Sequence, residues 1–575
     1  MHISEIREIN NYRNLSGKQM SFDRKLNFII GENNIGKTNI LELINVIFAI
    51  GKFDENDFFN ILDPIEVKVT LKYDDSELGF FENNFDIEDE HAITIVARQD
   101  SVDQRIEYYH DTPTKPVISV SVIKKLNILY YYAQRMPSKE VDFRKTQGSG
   151  KVLNYLIQHS LEQSGIEEKD IIKKTKLSGI VKGVNKRIES LNSITGDYVN
   201  AYINESADKI ISRILELGDQ NGRALNSLGE GIQYAFNILL QIIEIIYSVK
   251  STRKPEDFVD RLIENEDGEK LFPLFIVLDE PEIHQHPYRQ RSLIKKIQDL
   301  VNNGNMIFLE LLKVLFDIDG LTGQIFIATH SPNILLNDYK QFIRVYKPIG
   351  TTNNSLEIIS GNKIILDDKL YKHLLRSFLY LKEAMFSKCI VFVEGDTENG
   401  AIPVFARRMG LDLDEKNIGV VKLDGADSVE NCMKLCNKFS IKTIAVIDKD
   451  KKNKYSHLPD IYFTRENDFE EDVYSNFKLD DYLKYNKNMG MINGFIGILK
   501  RHGITFDVQS FKSDPSTCVI NDVLQKDIMK EIRTNELAKL KGTKNASKSI
   551  MLAEHVTVIP TSFQRVIKIL EKEVK

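Results

Sequence analysis

The sequence predicts an α/β protein with two successive parallel-sheet domains. Two uninterrupted apolar runs, Leu274–Leu278 and Ile325–Ala328, have the composition of strands that are covered on both faces. A glycine-rich loop follows the apolar strand Leu26–Ile30 and precedes a helix, which is the order of a nucleotide-binding α/β unit. After about residue 375 a second alternation of strands and helices begins. The 575 residues suffice for about three or four compact units.

Composition excludes several protein classes. Charged residues make up 28% and hydrophobic residues 42% of the chain, so a disordered, collagenous or polytopic membrane protein is excluded. The four cysteines include no C-x-x-C pair, which argues against a disulfide scaffold or a zinc ribbon and fits the reducing cytoplasm. The first ten residues, MHISEIREIN, lack the apolar core of a signal peptide. Since the net charge is −6, nucleic-acid binding would require local basic surfaces.

The chain changes character along its length. β-rich runs occupy residues 64–130, among them Val117–Val122, and a polar stretch with helical apolar spacing follows at residues 140–225. Tyr234–Val249 is the most apolar stretch, but it is shorter than a membrane span of about 20 residues and contains polar side chains. A buried helix and no membrane contact are therefore expected there. The tail from about residue 520 is predicted to be helical and basic.

A phosphate loop is predicted at Gly31–Thr38. Its sequence, GENNIGKT, matches G-x-x-x-x-G-K-[ST] at every fixed position and stands between a strand and a helix. The glycines allow backbone N–H groups to surround phosphate oxygens, and the helix N-terminus adds partial positive charge. Lys37 would reach the β- and γ-phosphates, while the Thr38 hydroxyl would ligate Mg²⁺. The residues expected to contact ATP here are Asn33, Asn34, Gly36, Lys37, Thr38 and Asn39.

An acidic pair ends a later apolar strand. The run Phe275–Leu278 leads directly into Asp279 and Glu280. Asp279 can hold Mg²⁺ through water, and Glu280 can polarise the water that attacks the γ-phosphate. Together with the phosphate loop, this pair predicts ATP hydrolysis.

Two weaker motifs flank the acidic pair. Ser227–Gln233, SLGEGIQ, precedes the apolar helix, and Thr329–Pro332, THSP, follows the strand Ile325–Ala328. Taken singly, such motifs are typical of helix caps and structural histidines. Their order along the chain resembles that of the ABC-type ATPases. The NYRN segment at Asn11–Asn14 is similar to the opening of the DNA-repair branch of these ATPases, whereas no glutamine loop is obvious and Asp57-Phe58 is the candidate.

The ABC resemblance implies a composite site. Ser227 and Gly229 of one protomer would contact the γ-phosphate held by the other protomer, and His330 would sense that phosphate. A homodimer with ATP between two heads is therefore implied by the resemblance.

A second set of acids lies downstream. Glu394 follows the strand Val391–Val393, Asp448 and Asp450 follow a strand at Ile444–Ile447, and a third acidic patch lies at residues 467–472. Ligands of open α/β sheets bind beyond the carboxyl ends of the strands. Several carboxylates brought together there would need hard cations such as Mg²⁺ or Mn²⁺. Two such ions suit phosphodiester cleavage, because they stabilise both the attacking and the leaving oxygen.

The E-G and D-x-D motifs resemble the Toprim domain of topoisomerases, primases and certain nucleases. An ABC-type ATPase followed by Toprim resembles, over nearly the whole chain, the OLD (overcoming lysogenization defect) family of nucleases. The resemblance implies an ATPase head at residues 1–140 and 226–375, a helical dimerisation insertion at 141–225, and a Toprim domain with basic C-terminal helices at 385–575.

The OLD resemblance also implies residue roles in the second centre. Glu394 would be the first Toprim acid, Glu398 its follower, and Asp448 and Asp450 the D-x-D metal ligands. A second metal would bind to Glu470 with Asp468 or Asp472. A lysine near the C-terminus would stabilise charge in the transition state, with Lys548 the best fit and Lys544 the reserve; the other interpretation is that these lysines only bind phosphate backbone.

The favoured interpretation is an ATP-regulated, metal-dependent DNA endonuclease of bacterial anti-phage defence. As the resemblance implies, it would be a homodimer or a larger assembly such as a tetramer. Its partner would be a separate helicase-like protein or a retron reverse transcriptase with its RNA–DNA hybrid. The alternative is a regulatory ATPase and DNA-binding scaffold whose Toprim domain does not cleave. A topoisomerase would need a nucleophilic tyrosine in a recognisable motif, and a primase would usually need a zinc module.

Overall fold

The structure, a computed structural model, describes most of the chain. Outside the description lie residues 78–79, 82–83, 133–140, 144–146, 166–173, 204–214, 252–253, 284, 350–355, 367–371, 373–380, 424–427, 516–517, 519, 542–544 and 575. Residue contacts divide the chain into two compact units. The first comprises Met1–Pro348 and Asn353–Ile364, and the main part of the second begins at Ile365.

The first unit is built on a seven-stranded, mostly parallel sheet. The strand of the phosphate loop, Leu26–Gly31, is buried along its whole length and lies between Gly320–Ala328 and Phe342–Tyr346. Lys270–Asp279 pairs in parallel with the other side of Gly320–Ala328. The predicted parallel α/β fold is therefore confirmed for this unit. The remaining strands are Asn127–Tyr131, parallel to Lys270–Asp279, and the antiparallel edge strands Ile263–Glu264 and Glu357–Ser360.

A second, antiparallel sheet of five strands shares a core with the helix Lys37–Asn45. The side chains that alternate into this core include Ile65, Val67 and Val69, all without solvent exposure. Val117–Val122, expected as a β-rich run, is extended only at its start, where Val117 forms an isolated antiparallel bridge with Tyr109, and the prediction is wrong from Val120 onward. The Ser119 hydroxyl accepts a hydrogen bond from Ser121 N and starts a short helix at Val120–Ile123. In spatial order the strands are Met20–Ser21, His2–Asn10, Ile65–Lys72, Ala92–Gln99 and Glu107–His110.

Helices cover the seven-stranded sheet. Glu230–Ser251 contains the one stretch of the described residues that is long and apolar enough to cross a membrane, Gly231–Ser251. Its side chains, such as Phe236 and Ile243, have no solvent exposure, so this is a core helix. The 140–225 segment contains helices and also a pair of antiparallel strands. The helices of the unit are Lys37–Asn45, Val120–Ile123, Ser149–Ser164, Lys174–Thr195, Glu230–Ser251, Pro255–Val259, Pro287–Val301 and Met306–Phe316, and the paired strands are Asn200–Ile203 and Leu215–Gly218.

The second unit has a four-stranded, fully parallel sheet. Cys389–Val393 and Lys442–Ile447 are its neighbouring central strands, with Ile418–Lys422 and Ile461–Phe463 at the edges. The tail from residue 520 is helical in its described part, as predicted. The helices are Asp396–Arg408, Val429–Lys438, Lys452–Tyr455, Phe469–Ser475, Leu479–Asn488, Ile492–Arg501, Val508–Ser513, Asp522–Lys541, Ala546–His555 and Thr561–Glu573.

Candidate functional site

The phosphate loop has the backbone conformation that its glycines permit. Gly31 has φ of 154° and Gly36 has φ of 108°. A Cβ atom at Gly31 would lie 2.2 Å from Val345 O, and one at Gly36 would lie 2.8 Å from Asn14 Nδ2. Gly36 is the N-cap of the helix that begins at Lys37. The loop therefore delivers its N–H groups at the start of a helix, as phosphate binding requires.

Lys37 is buried inside this loop. Its Nζ donates to Gly31 O at 3.1 Å and to Glu32 O at 2.6 Å. Burial lowers the pKa of Lys37 to about 8, against the opposite effect of the nearby carboxylates of Glu280 and Asp279. The ammonium group is therefore held where a phosphate would compensate its desolvation.

Thr38, in the first turn of the helix Lys37–Asn45, meets Asp279 at the carboxyl end of the strand Lys270–Asp279. Thr38 Oγ1 lies 3.3 Å from Asp279 Oδ2 and 3.4 Å from Oδ1. Burial and the neighbouring charge of Glu280 together raise the pKa of Asp279 to about 6, while the Thr38 hydrogen bond opposes the shift. A hydroxyl beside a desolvated carboxylate is a donor set that fits a hard cation.

Glu280 and His330 form a pair on adjacent strand ends. Glu280 has φ of 48°, a conformation that is rare for a non-glycine residue, and its N–H donates to Ala328 O at 2.9 Å. His330 Nε2 lies 3.3 Å from Glu280 Oε1. Burial lowers the pKa of His330, and Lys37 lowers it further, so the neutral imidazole is favoured.

Glu282 is a site residue that the motifs did not reveal. Its Oε1 accepts hydrogen bonds from Thr329 Oγ1 at 2.6 Å and from His330 N at 2.8 Å. It thereby joins the loop after Asp279 to the loop that carries the histidine. The signal in the sequence was the third acid of the segment DEPE, but an acid two residues beyond the pair has no motif role of its own.

The NYRN segment supports the phosphate loop from outside. Asn14 Nδ2 donates to Ile35 O at 3.1 Å, and Arg13 bonds to Asn39 Oδ1 at 2.7 Å. Asn39 also donates to Asn14 Oδ1 at 2.8 Å, so its side chain is held by the NYRN segment. Asp57, the glutamine-loop candidate, is buried and forms an ion pair with Arg13 at 2.7 Å. Asn33 and Asn34 are exposed at the tip of the loop.

The serine-glycine motif lies in an exposed turn before the helix Glu230–Ser251. Ser227 and Gly229 are both exposed, and a Cβ at Gly229 would meet no atom within 4 Å. The start of the helix is joined to the acidic loop, because Gln285 Nε2 donates to Gly231 O at 2.7 Å. An exposed turn with this anchorage is available to a partner molecule.

The second unit brings two of the predicted acids together. Glu394 and Asp448 follow neighbouring parallel strands, and Asp448 N donates to Glu394 Oε2 at 3.4 Å. Asp450 is exposed and forms an ion pair with Lys451 at 2.7 Å. The hydrogen bond and the charge of Asp450 raise the pKa of Lys451, and the charges of Glu394 and Asp448 add to this to a smaller degree.

The other predicted metal ligands are buried or form hydrogen bonds that cap helices. Glu398 is buried and accepts from Gly395 N at 3.1 Å, which caps its own helix. Asp468 caps the next acidic helix by accepting from Glu471 N at 2.9 Å. Glu470 is 2% exposed, and Asp472 is fully buried with Oδ2 accepting from Ser562 Oγ at 2.5 Å.

A ready metal cage is not formed by these side chains. In the described part of the chain, no group of three or more His, Cys, Asp or Glu residues is arranged to hold a metal ion. The carboxylate oxygens of Glu394 and Asp448 are nevertheless donors of the kind that suits a hard cation, and these two residues follow neighbouring parallel strands. Asp472 Oδ1 is also buried without a hydrogen-bond partner among the described residues.

Lys548 lies in the first turn of the helix Ala546–His555. Asn545 caps that helix by accepting from Lys548 N at 2.9 Å. The reserve candidate Lys544 lies outside the described residues.

Two family models match the chain in the order of these two centres. The model of the AAA ATPase domain matches residues 1–117 and 80–335, which together are more than half of the chain. The model of the Overcoming lysogenization defect protein-like TOPRIM domain matches residues 385–450, which contain Glu394, Asp448 and Asp450. The chain belongs to the OLD family of ATPase–Toprim proteins.

Relatives of this OLD-family protein share shorter stretches. The DNA replication and repair protein RecF of Bacillus thuringiensis (strain Al Hakam) and that of Bacillus cereus (strain B4264) are each 53% identical over 47 residues. These residues are 8% of this chain and only 12% of RecF, so the match spans a small part of either protein.

Solved structures similar to the OLD-family protein include heads and a C-terminal region. A SmcHead bound to the C-winged helix domain of ScpA is 14% identical with a TM-score of 0.37, covering 65% of this chain and 100% of that chain. The C-terminal region of the Burkholderia pseudomallei OLD protein is 15% identical with a TM-score of 0.19, covering 33% of this chain and 100% of that chain. Because these scores are below 0.5, the family assignment rests on the two family models.

Proposed function

We propose that the protein is an ATP-regulated, divalent-metal-dependent DNA endonuclease that acts in bacterial defence against phages. The observation that carries the proposal is the meeting of Glu394 and Asp448 at the carboxyl edge of the second sheet, with 3.4 Å between Asp448 N and Glu394 Oε2. The ATP site has its own acids, Asp279 and Glu280, so hydrolysis of ATP does not require this second acidic edge.

Each predicted side chain has a role in this proposal. Glu394, with Glu398 as its follower, and Asp448 and Asp450 would hold one divalent cation. Glu470, with Asp468 or Asp472, would hold a second. Bound Mg²⁺ or Mn²⁺ would stabilise charge on the attacking and leaving oxygens of the phosphodiester. Lys548 would stabilise negative charge on the phosphate, and it cannot join the metal shell because it is a cation.

ATP would control the assembly of the heads. Lys37 and the loop N–H groups would hold the phosphates, Thr38 and Asp279 would hold their Mg²⁺, and Glu280 would orient the attacking water. The exposure of Ser227 and Gly229 supports a homodimer or tetramer in which these residues complete the partner's site. DNA is the proposed substrate, and a separate helicase-like protein or a retron reverse transcriptase with its RNA–DNA hybrid is the proposed partner.

One observation favours a second function. In the described residues, no three metal-binding side chains are already arranged around one point. A regulatory ATPase whose Toprim domain serves as a DNA-binding scaffold would have no need of such an arrangement. This alternative predicts ATP hydrolysis and DNA binding without cleavage.

The test is cleavage of a supercoiled plasmid by the purified full chain. The reactions contain EDTA, Mg²⁺ or Mn²⁺, each with and without ATP. We expect nicked or linear DNA only with a divalent ion, and a rate that changes with ATP. An intact plasmid under every condition, with ATP hydrolysis and DNA binding retained, would support the scaffold function instead.

A further inference from the structure

Two helices of the second unit cross unusually closely at Gly400. Gly400 lies in the helix Asp396–Arg408, and it faces the first turn of the helix Ala546–His555. A Cβ atom at Gly400 would lie 2.7 Å from Ala546 O and 2.7 Å from Ser549 Oγ. Real Cβ atoms do not approach a backbone oxygen so closely, so only glycine permits this crossing.

The two helices run in the same direction. At the other end of the crossing, Arg408 donates to Ala553 O at 2.5 Å and to Thr557 O at 3.4 Å. Thus Gly400 of the first helix lies against Ala546 of the second, and Arg408, eight residues further along the first helix, lies against Ala553 of the second. The N-terminal ends of both helices therefore lie side by side.

These two ends carry parts of the proposed nuclease centre. Glu394 and Gly395 directly precede the helix Asp396–Arg408, and Lys548 belongs to the first turn of the other helix. Gly400 lies four residues after the start of its helix, which is about 6 Å at 1.5 Å per residue. The closest approach of the helices is thus within about one turn of both functional ends.

The helix of Lys548 is also held on its other side. Thr557, just after this helix, donates from its backbone N to the buried Asp481 at 3.1 Å. Ser549 has no solvent exposure and donates to Ala546 O at 2.7 Å. A side chain at position 400 would therefore push against the first turn of the helix that carries Lys548, whose far end is held by Asp481.

We propose that Gly400 is a positioning residue that fixes Lys548 beside the Toprim acids by allowing this close crossing. The inference rests on the proposed nuclease function, which it deepens. Gly400 does not touch the reacting atoms, and it acts through Lys548. Displacement of a catalytic group by about 1 Å can lower a rate about 100-fold.

The experiment measures plasmid cleavage by the full-length Gly400→Ala variant. We expect the rate at saturating DNA and metal to fall about tenfold to 100-fold. ATP hydrolysis and binding of Mn²⁺ should stay at the parent level, because neither depends on the lysine. The matched control is Gly494→Ala in the helix Ile492–Arg501, where the added Cβ would meet no atom within 4 Å and cleavage should not change.

A double variant separates positioning from general damage. If Gly400 acts through Lys548, Gly400→Ala combined with Lys548→Ala should cleave no more slowly than Lys548→Ala alone. Multiplied losses in the double variant, or a Lys548→Ala variant that cleaves at the parent rate, would overturn the proposal. So would Gly400→Ala at the parent rate.

Separate control measurements distinguish an effect of a variant on folding from an effect on cleavage. The thermal unfolding of each variant is compared with that of the parent protein. If Gly400→Ala does not fold, Arg408→Met serves in its place, because it removes the hydrogen bonds at the other end of the same helix crossing. Arg408→Met should also slow cleavage without slowing it further in the Lys548→Ala background. A parent chain that never cleaves DNA contradicts the proposed function, whereas an active parent beside an equally active Gly400→Ala contradicts the positioning role alone.

Discussion

The buried ammonium group of Lys37 lowers the free energy of unfolding of the nucleotide-free protein by an amount that depends on pH. Burial lowers its pKa from 10.5 to about 8, so between these values the unfolded chain binds more protons than the folded chain. Stability contributed by this group therefore rises with pH across that window. We predict that the free energy of unfolding of the parent, relative to Lys37→Met, increases from pH 8 to pH 10. Denaturant titrations of both chains without ATP measure the difference, and a constant or falling difference would contradict the burial of a charged Lys37.

Glu280 should serve hydrolysis rather than binding of ATP. Its carboxylate lies 3.3 Å from His330 Nε2, whereas the contacts of the phosphate loop do not involve it. We predict that Glu280→Gln retains nucleotide affinity and loses at least about 100-fold in turnover. Fluorescent-nucleotide binding and phosphate release measure the two properties. Lys37→Ala is the contrasting variant, and equal loss of affinity in both would show that the roles are assigned wrongly.

At the residue scale, the side chains expected to bind ATP and Mg²⁺ were predictable from the sequence, whereas the side chains that hold them in place were not. The glycines, Lys37, Thr38 and Asp279 were predictable because their spacing is dictated by phosphate geometry. Glu282 was not, since its role depends on two donors that lie 47 and 48 residues further along the chain. The engagement of Asn39 with Arg13 and Asn14 was hidden for the same reason.

The hydrogen bonds of Glu282 join the loop after Asp279 to the loop that carries His330. We predict that Glu282→Ala lowers the rate of ATP hydrolysis about tenfold or more, because Thr329 Oγ1 and His330 N lose a buried acceptor. Glu282→Gln keeps an amide oxygen at the same place and should recover part of the rate. Steady-state ATPase kinetics of both variants are the measurement. The same rate in Ala and Gln variants would mean that the hydrogen bonds do not position His330.

At the scale of secondary-structure elements, buried strands were easier to predict from the sequence than short helical turns and short strands. The strands Leu274–Leu278 and Ile325–Ala328 were recognisable because strands covered on both faces read as continuous apolar runs. Val117–Val122 has similar residues, but Ser119 caps a helical turn inside it, which composition does not reveal. The pair Asn200–Ile203 and Leu215–Gly218 was missed because each strand has only four residues.

The whole molecule is expected to dimerise through its heads when ATP is bound. Ser227 and Gly229 are exposed, and we propose that they complete the nucleotide site of a partner protomer. We predict that Glu280→Gln with ATP forms a stable dimer by light scattering, and that adding Ser227→Arg lowers its affinity at least about tenfold. Ser121→Arg, at another exposed serine of the first unit, is the control and should have no effect. A strictly monomeric Glu280→Gln at micromolar concentration would contradict the shared site.

At the scale of the whole molecule, we expect the ATP site and the acidic edge of the second sheet to act independently. Glu394 and Asp448 belong to the second unit, whereas Lys37, Asp279 and Glu280 belong to the first. The most direct test compares plasmid cleavage and ATP hydrolysis in Glu394→Gln, Asp448→Asn and the control Asp414→Asn, an exposed acid of the same unit, with any required partner present. We predict that Glu394→Gln and Asp448→Asn lose cleavage while all three variants retain ATP hydrolysis. Cleavage at the parent rate by Glu394→Gln and Asp448→Asn would contradict it.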